Sequence, residues 1–210
     1  YLPLNTGYTA AELDYFLGDA KPRIVVVSGK AEAAIAPIAK RIGAALMTLD
    51  ADESGSLRDA AMAHEGRFAA VPRGSEDLAA ILYTSGTTGR SKGAKLCHRN
   101  LRSNAEVLRD YWRFTPDDVL LHMLPIYHTH GLFVASNLLA LVGGSMIFLP
   151  KYAADVALEW MPKATTMMGV PTFYTRPLDN DGFTREASAH MRPFISGSAA
   201  LPAETPRQFE

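Results

Sequence analysis

The apolar residues of this chain fall into short β-branched or aliphatic runs, separated by longer segments in which apolar positions recur three and four apart. Residues 23–27 (RIVVV) are such a run, closed by Ser28-Gly29 and followed by an alanine-rich helical segment over 31–44 and a second apolar run at 45–49. This is a strand, helix, strand rhythm. After a polar, poorly periodic stretch over 50–76 the rhythm resumes, with strands predicted at 79–83, 119–124, 145–149, 165–168 and 193–196. Helices are predicted between them at 100–111, 132–141, 155–161 and 171–178, and another begins near Pro202. Such alternation predicts an α/β fold of layered, largely parallel sheets flanked by helices, in which ligands gather beyond the carboxyl ends of strands.

The most apolar stretch, residues 132–149, is long enough to raise a membrane span, but Ser136, Asn137, Gly143, Gly144 and Ser145 interrupt it and no basic flank precedes it. It reads as a buried helix, a Gly-Gly turn and a buried strand. No membrane span is expected.

Composition narrows the classes further. The chain has 210 residues, 48% of them apolar, and a formal net charge of −1, so it is able to bury a sizeable core and has no need of a polyanionic partner. Positive charge is neither in excess nor clustered beside aromatics, which argues against nucleic acid. One cysteine, Cys97, forms no internal disulfide, and no leader precedes the first strand, so a reducing, cytoplasmic setting is expected. The chain opens at Tyr1 without methionine and stops at Glu210 inside a predicted helix, for which truncation at both ends is the simplest account.

The strand ending at Tyr83 runs into Thr84-Ser85-Gly86-Thr87-Thr88-Gly89-Arg90-Ser91-Lys92-Gly93, which crowds hydroxyls, three glycines and two cations into ten residues. Glycines let backbone N–H groups approach phosphate oxygens, hydroxyls add neutral donors, and Lys92 supplies a compact charge able to follow a moving phosphate. The G-x-x-x-x-G-K-[ST] spacing is not met from either Gly86 or Gly89, which disfavours a P-loop kinase or GTPase. A solvated Ser/Thr/Gly linker is the bland alternative, and the position directly after an apolar strand argues against it.

Residues 83–93 (YTSGTTGRSKG) resemble the signature loop of the adenylate-forming superfamily of acyl-CoA synthetases, luciferases and nonribosomal adenylation domains. Three further segments match in order: residues 1–8 with 11–16 (YLPLNTGY and AELDYF), 124–132 (LPIYHTHGL) and 196–201 (SGSAAL). The resemblance implies that residues 1–210 are part of the N-terminal AMP-binding domain, with the C-terminal lid domain outside them. It implies that Thr84, Ser85, Gly86, Thr87, Thr88, Gly89 and Lys92 wrap the ATP phosphates, Thr84 and Lys92 acting in catalysis, and that Gly197, Ser198 and Ala199 lie beside the adenine and the acyl group. The family more often has proline where this chain has Ala200, and an apolar or small residue in place of Lys95. Neither departure removes a catalytic group.

Within the superfamily, PIYHTHGLFVASN and GVPTFYTR look similar to malonyl-CoA synthetases. Malonate or methylmalonate carries a second carboxylate that stays ionised and needs a buried cation. By resemblance Arg176 holds it as a planar, bidentate clamp, with Ser198 and His128 nearby. His128 would also line the path of coenzyme A and act in catalysis. His128 and His130 form an H-x-H pair, but no Asp, Glu or Cys cluster completes a metal site, so no resident metal is assigned. Ser85 lacks the G-x-S-x-G setting of a nucleophile. Cys97 beside His98 reads as a small buried hydrophobe rather than a nucleophile.

The implied reaction uses ATP, Mg2+ and coenzyme A: the acid attacks the α-phosphorus, pyrophosphate leaves, and the coenzyme A thiolate displaces AMP. Later family motifs lie beyond Glu210 in a full-length member, so the 210 residues alone are expected to have little synthetase activity. Two alternatives stand beside this reading. One keeps the family but changes the acid to a fatty, aryl or amino monocarboxylate, and the other is a non-catalytic nucleotide-binding module.

Overall fold

In the computed structural model, which describes residues 1–64, 66–84, 91–178, 182–202 and 204–209, the chain forms two units, Tyr1–Lys95 and Leu96–Glu210. The α/β reading holds, with parallel sheets flanked by helices.

The first unit opens with α1 (Ala10–Ala20), whose start is set by a reciprocal cap. Thr9 Oγ1 accepts from the Glu12 N–H at 3.3 Å and Glu12 Oε2 accepts from the Thr9 N–H at 2.8 Å. Strand β1 (Ile24–Val27), α2 (Gly29–Ile42) and β2 (Ala45–Thr48) then make a parallel unit in the register Ile24↔Ala45. Helix α2 turns Ile35, Ile38 and Ala39 inward at three- and four-residue spacing and ends on Gly43 at φ 72°, a left-handed cap that glycine adopts without penalty. Val25, Leu17, Ile35 and Ile38 form the core of this unit. A short helix, α3 (Ser56–Met62), buries none of its residues, which is why the polar stretch around it shows no periodicity. Strands β3 (Leu78–Thr84) and β4 (Lys92–Cys97) pair with each other, so Lys92 and Gly93 are strand residues rather than loop.

The second unit is built on a four-stranded sheet in the order β6-β5-β7-β8, with β5 at Val119–His122, β6 at Ser145–Phe148, β7 at Thr166–Gly169 and β8 at Phe194–Ser196. All three pairings are parallel. Strand β5 alternates between two cores. Leu120 packs with Leu138, Leu139 and Met168 on one face, and Leu121 with Met161, Met167 and Tyr174 on the other. The fully buried leucines each contribute about 2 kcal/mol. Helix α4 (His98–Trp112), α5 (Asn137–Val142), α6 (Ala154–Trp160), α7 (Thr172–Leu178), α8 (Arg185–Ser188) and α9 (Glu204–Phe209) complete the unit.

Two expectations change here. The helix predicted over 132–141 begins earlier, as a π-helical turn at His130–Ser136 that passes into α5. The strand predicted as buried at 145–149 is β6, at the edge of the sheet among the described residues, with Met146 41% and Phe148 51% exposed. Gly143 caps α5 at φ 74°, as the Gly-Gly turn requires. Among the described residues, no helix is long and apolar enough to cross a membrane.

Buried Asp118, at the entry to β5, ties the unit together. Its carboxylate accepts from the Thr115 N–H at 2.8 Å, from Thr165 Oγ1 at 2.9 Å and from the Arg192 guanidinium. Burial pushes this carboxyl up, and the Arg192 and Thr donors outweigh burial and hold it below the usual range.

Candidate functional site

In the first unit the candidate phosphate loop springs from the β3–β4 pair. Ser85, Gly86, Thr87, Thr88 and Gly89 lie outside the described residues, so the structure places the two stems. Thr84, exposed at the end of β3, donates through Oγ1 to the Lys92 carbonyl at 3.5 Å. Lys92 is the exposed first residue of β4. Gly93 follows it under tight packing: a Cβ there would lie 3.0 Å from Ile81 Cγ2 and 3.3 Å from the Tyr83 ring.

Side chains from α1 brace these stems, and the sequence reading did not assign them. Tyr15 donates its hydroxyl to the Ser91 carbonyl at 2.9 Å, one residue before Lys92. Tyr83 bonds Asp19 Oδ2 at 2.5 Å, and its ring meets Phe16 at 4.4 Å between centroids. Burial first, and then Asp19, pushes the Tyr83 phenol well up, so it stays a neutral donor. The signal for these contacts was the AELDYF segment (residues 11–16) with Asp19 just after it, read as a motif and not as a helix placing Tyr15 and Asp19 four residues apart.

In the second unit the loops leaving β5, β7 and β8 meet at the carboxyl end of the sheet. The Gly197 N–H donates to the Gly169 carbonyl at 3.0 Å, joining the ends of β8 and β7. Ser198 follows at φ 69°, a left-handed conformation that costs a serine of order 1 kcal/mol, and such strain clusters at ligand sites. His130 Nδ1 lies 3.2 Å from Ser198 Oγ. A Cβ on Gly197 would come within 3.0 Å of His130 Cε1, so glycine is what admits the ring. Ala199 is exposed beside them.

His130 is therefore a histidine that reaches the Gly197–Ser198 segment. His128 sits in the turn after β5, where its N–H donates to the Pro125 carbonyl at 3.2 Å, and its exposed ring lies 4.6 Å from that of Tyr127. An H-x-H spacing at a helix entry turns the two rings to different sides, which sequence spacing does not rank. Burial, with His122 adding to it, holds His130 below its ordinary pKa.

Arg176 is on α7, which leaves the end of β7. The helix is pinned by the Tyr174 hydroxyl, which bonds the Ile195 carbonyl at 2.5 Å and the Met167 carbonyl at 3.2 Å. The guanidinium is exposed and lies 5.9 Å from the centre of the Tyr152 ring, which in turn stacks on Phe173 at 4.1 Å. Arg176 is exposed, so the expected burial of this cation is not seen. Among the described residues no group of three His, Cys, Asp or Glu side chains is placed to hold a metal ion.

A family model for AMP-binding enzymes matches residues 1–210. The chain belongs to the AMP-binding enzyme family. Mitochondrial malonate–CoA ligase of Mus musculus is 34% identical over 220 residues, covering 96% of this chain and 37% of that protein. Among solved structures, ATP-bound MatB from Rhodopseudomonas palustris is 61% identical with a TM-score of 0.96 over 100% of this chain and 42% of its own. A malonyl-CoA ligase in ternary product complex with methylmalonyl-CoA and AMP is 31% identical with a TM-score of 0.77, over 98% of this chain and 42% of its own. This AMP-binding chain thus spans about two fifths of the length of the relatives it matches.

Proposed function

We propose that this AMP-binding chain supplies the ATP phosphate loop and the acid pocket of an ATP-dependent acid–thiol ligase, acting on malonate or methylmalonate and coenzyme A. The observation that carries the reading is the His130–Ser198 pair, held at the end of β8 by Gly197, in a chain similar over nearly all its length to malonate–CoA ligases. Ser198 Oγ and the His130 ring offer neutral donors to a carboxylate, and Arg176 is the cation for the second carboxylate of a dicarboxylic acid.

In the first half-reaction one carboxylate oxygen of the acid forms a bond to the α-phosphorus of ATP. The bond from that phosphorus to the β-phosphate bridging oxygen breaks, and pyrophosphate leaves with the electron pair. Mg2+ enters with ATP as part of the substrate. Negative charge grows on the departing phosphates, and Thr84, Lys92 and the loop residues Ser85, Gly86, Thr87, Thr88 and Gly89 are the donors assigned to it. In the second, coenzyme A thiolate attacks the acyl carbonyl and AMP leaves. The path of the thiol is assigned to the face carrying exposed His128, beside Tyr127.

The test is acid-dependent ATP–pyrophosphate exchange by the full-length protein, with malonate, methylmalonate, acetate and a medium-chain fatty acid compared. Malonate is expected to drive exchange, and Arg176→Met to reduce malonate-driven exchange by about tenfold, the loss of a charge-assisted contact of about 1.5 kcal/mol at an exposed, solvent-screened guanidinium. A monocarboxylate reading has one observation in its favour, the exposure of Arg176. Exchange with acetate or a fatty acid only, unchanged in Arg176→Met, would establish it in place of the malonate reading.

A further inference from the structure

The π-helical turn His130–Ser136 is organised around one backbone oxygen. The Gly131 carbonyl accepts from His122 Nε2 at 2.8 Å and from Ser136 Oγ at 2.9 Å. In an α-helix that carbonyl would be taken by the N–H four residues on, and a side chain inserted into that ladder is one of the few recognised causes of a local departure from α-helical geometry. Gly131 is confined from a third side as well: a Cβ on it would lie 2.5 Å from the Pro125 carbonyl oxygen. The residue immediately before this fixed carbonyl is His130, whose ring meets Ser198 at 3.2 Å.

His122 has features that packing alone does not require. It lies 1% exposed at the end of β5, in alternation with the core leucines Leu120 and Leu124, a place where leucine would pack without desolvation cost. Its Nδ1 is buried and has no hydrogen-bond partner among the described residues. A carbonyl only accepts, so Nε2 carries the proton and Nδ1 the lone pair. Burial holds the imidazole below its ordinary pKa, which keeps it in this one neutral form. The half-exposed Phe148 ring lies 4.9 Å from it on the neighbouring strand, and the imidazole itself is shut away from any substrate.

We propose that His122 is a positioning residue for the acid site: by holding the Gly131 carbonyl it locks the first turn of the π-helix and so keeps His130 against Ser198. This rests on the reading of the Gly197–Ser198 segment as part of the acid site, and the experiment separates the two.

In the full-length protein, His122→Leu is expected to raise the malonate KM about tenfold while the ATP KM changes less than twofold. His122→Gln, whose amide N–H still reaches toward the carbonyl, is expected to stay within about threefold of wild type. In a Ser198→Ala background, His122→Leu should add little, since the contact it protects is already gone. The second readout is 15N NMR of the imidazoles: His122 as the Nε2–H tautomer in wild type, and His130 Nδ1 moving toward the free-imidazole shift in His122→Leu. If the leucine variant does not fold, Ser136→Ala withdraws the second donor from the same carbonyl and is expected to give the same His130 shift change and about a threefold rise in malonate KM. Unmoved His130 resonances, or malonate and ATP KM rising together, would overturn the proposal. A wild-type protein that does not activate malonate would remove the functional reading while the NMR comparison still decides whether His122 positions His130.

Discussion

Replacing Gly197 by alanine puts one methyl group against one ring. The added Cβ would stand 3.0 Å from His130 Cε1, 3.4 Å from Nδ1 and 3.6 Å from Nε2, closer at the first of these than real Cβ contacts comfortably allow. The backbone tolerates the change, since Gly197 is not among the glycines with positive φ, and alanine at a compatible site gains about 0.4–1 kcal/mol from a less flexible unfolded chain. Overall stability is therefore expected to shift by less than about 1 kcal/mol in either direction. What gives way is the ring, which must turn off the Ser198 hydroxyl. A lost hydrogen bond of this kind is a net change of about 1 kcal/mol, or roughly a fivefold rise in malonate KM, and more if the pair faces a carboxylate. The assay is malonate-dependent ATP–pyrophosphate exchange by the full-length protein beside a denaturant unfolding curve. A variant with normal stability and an unchanged malonate KM would refute the argument that glycine at this position admits His130 to the site.

Three other outcomes follow from the contacts. Tyr15→Phe deletes the donor to the Ser91 carbonyl while retaining the ring contacts at 5.5 Å to Phe16 and 6.1 Å to Tyr83, so the ATP KM should rise about fivefold with thermal stability almost unchanged; an unaltered ATP KM would show that the loop stem is braced elsewhere. Asp118→Asn leaves the Arg192 guanidinium without its carboxylate and is expected to cost about 3 kcal/mol by urea unfolding, at the low end for a buried pair because the Arg192 side chain is 42% exposed. The Asp118 pKa is lowered by folding, so its contribution is present at neutral pH and is lost as pH falls below about 4, and the wild-type advantage over the asparagine variant should shrink there. His122 and His130 are also lowered, but for a base this means that the unfolded chain takes up protons first. Stability should fall as pH drops through about 6.5, and the slope should be smaller in His122→Leu.

Most strands were legible because each is a run of branched apolar residues, and the observed β1, β2, β3, β5, β6, β7 and β8 fall within about two residues of the predicted ends. The elements that were missed lacked that signal or were read for something else. Helix α1 carried its T-x-x-E cap and inward Phe16 and Leu17 in plain view, inside a segment treated as a motif. Helix α3 buries nothing, and β4 (KGAKLC) is a strand through its pairing with β3 and not through its own propensity. The site was legible as a set of segments, since glycine and hydroxyl clusters after strands have few other uses. Its internal contacts were not: choosing between His128 and His130 depends on a π-helical turn, and that turn depends on His122, eight residues upstream of His130, and on Ser136, six residues downstream.

The glycines at the carboxyl end of the four-stranded sheet explain why a motif can be readable when its geometry is not. Gly131, Gly169 and Gly197 would each carry a Cβ within 3.0 Å of a neighbour: the Pro125 carbonyl, the Phe173 side chain and the His130 ring. Gly131 and Gly169 meet residues of their own turns and set how tightly those turns close, whereas Gly197 meets a residue of another segment and sets how closely the end of β8 approaches the turn after β5. A methyl at Gly131 meets backbone, which has nowhere to go, whereas a methyl at Gly197 meets a ring that rotates. The first substitution should therefore be paid in stability and the second in affinity for the acid, although both remove a glycine from the same end of the same sheet. The ordering follows from what stands opposite each Cβ, and Gly131→Ala costing less stability than Gly197→Ala would contradict it.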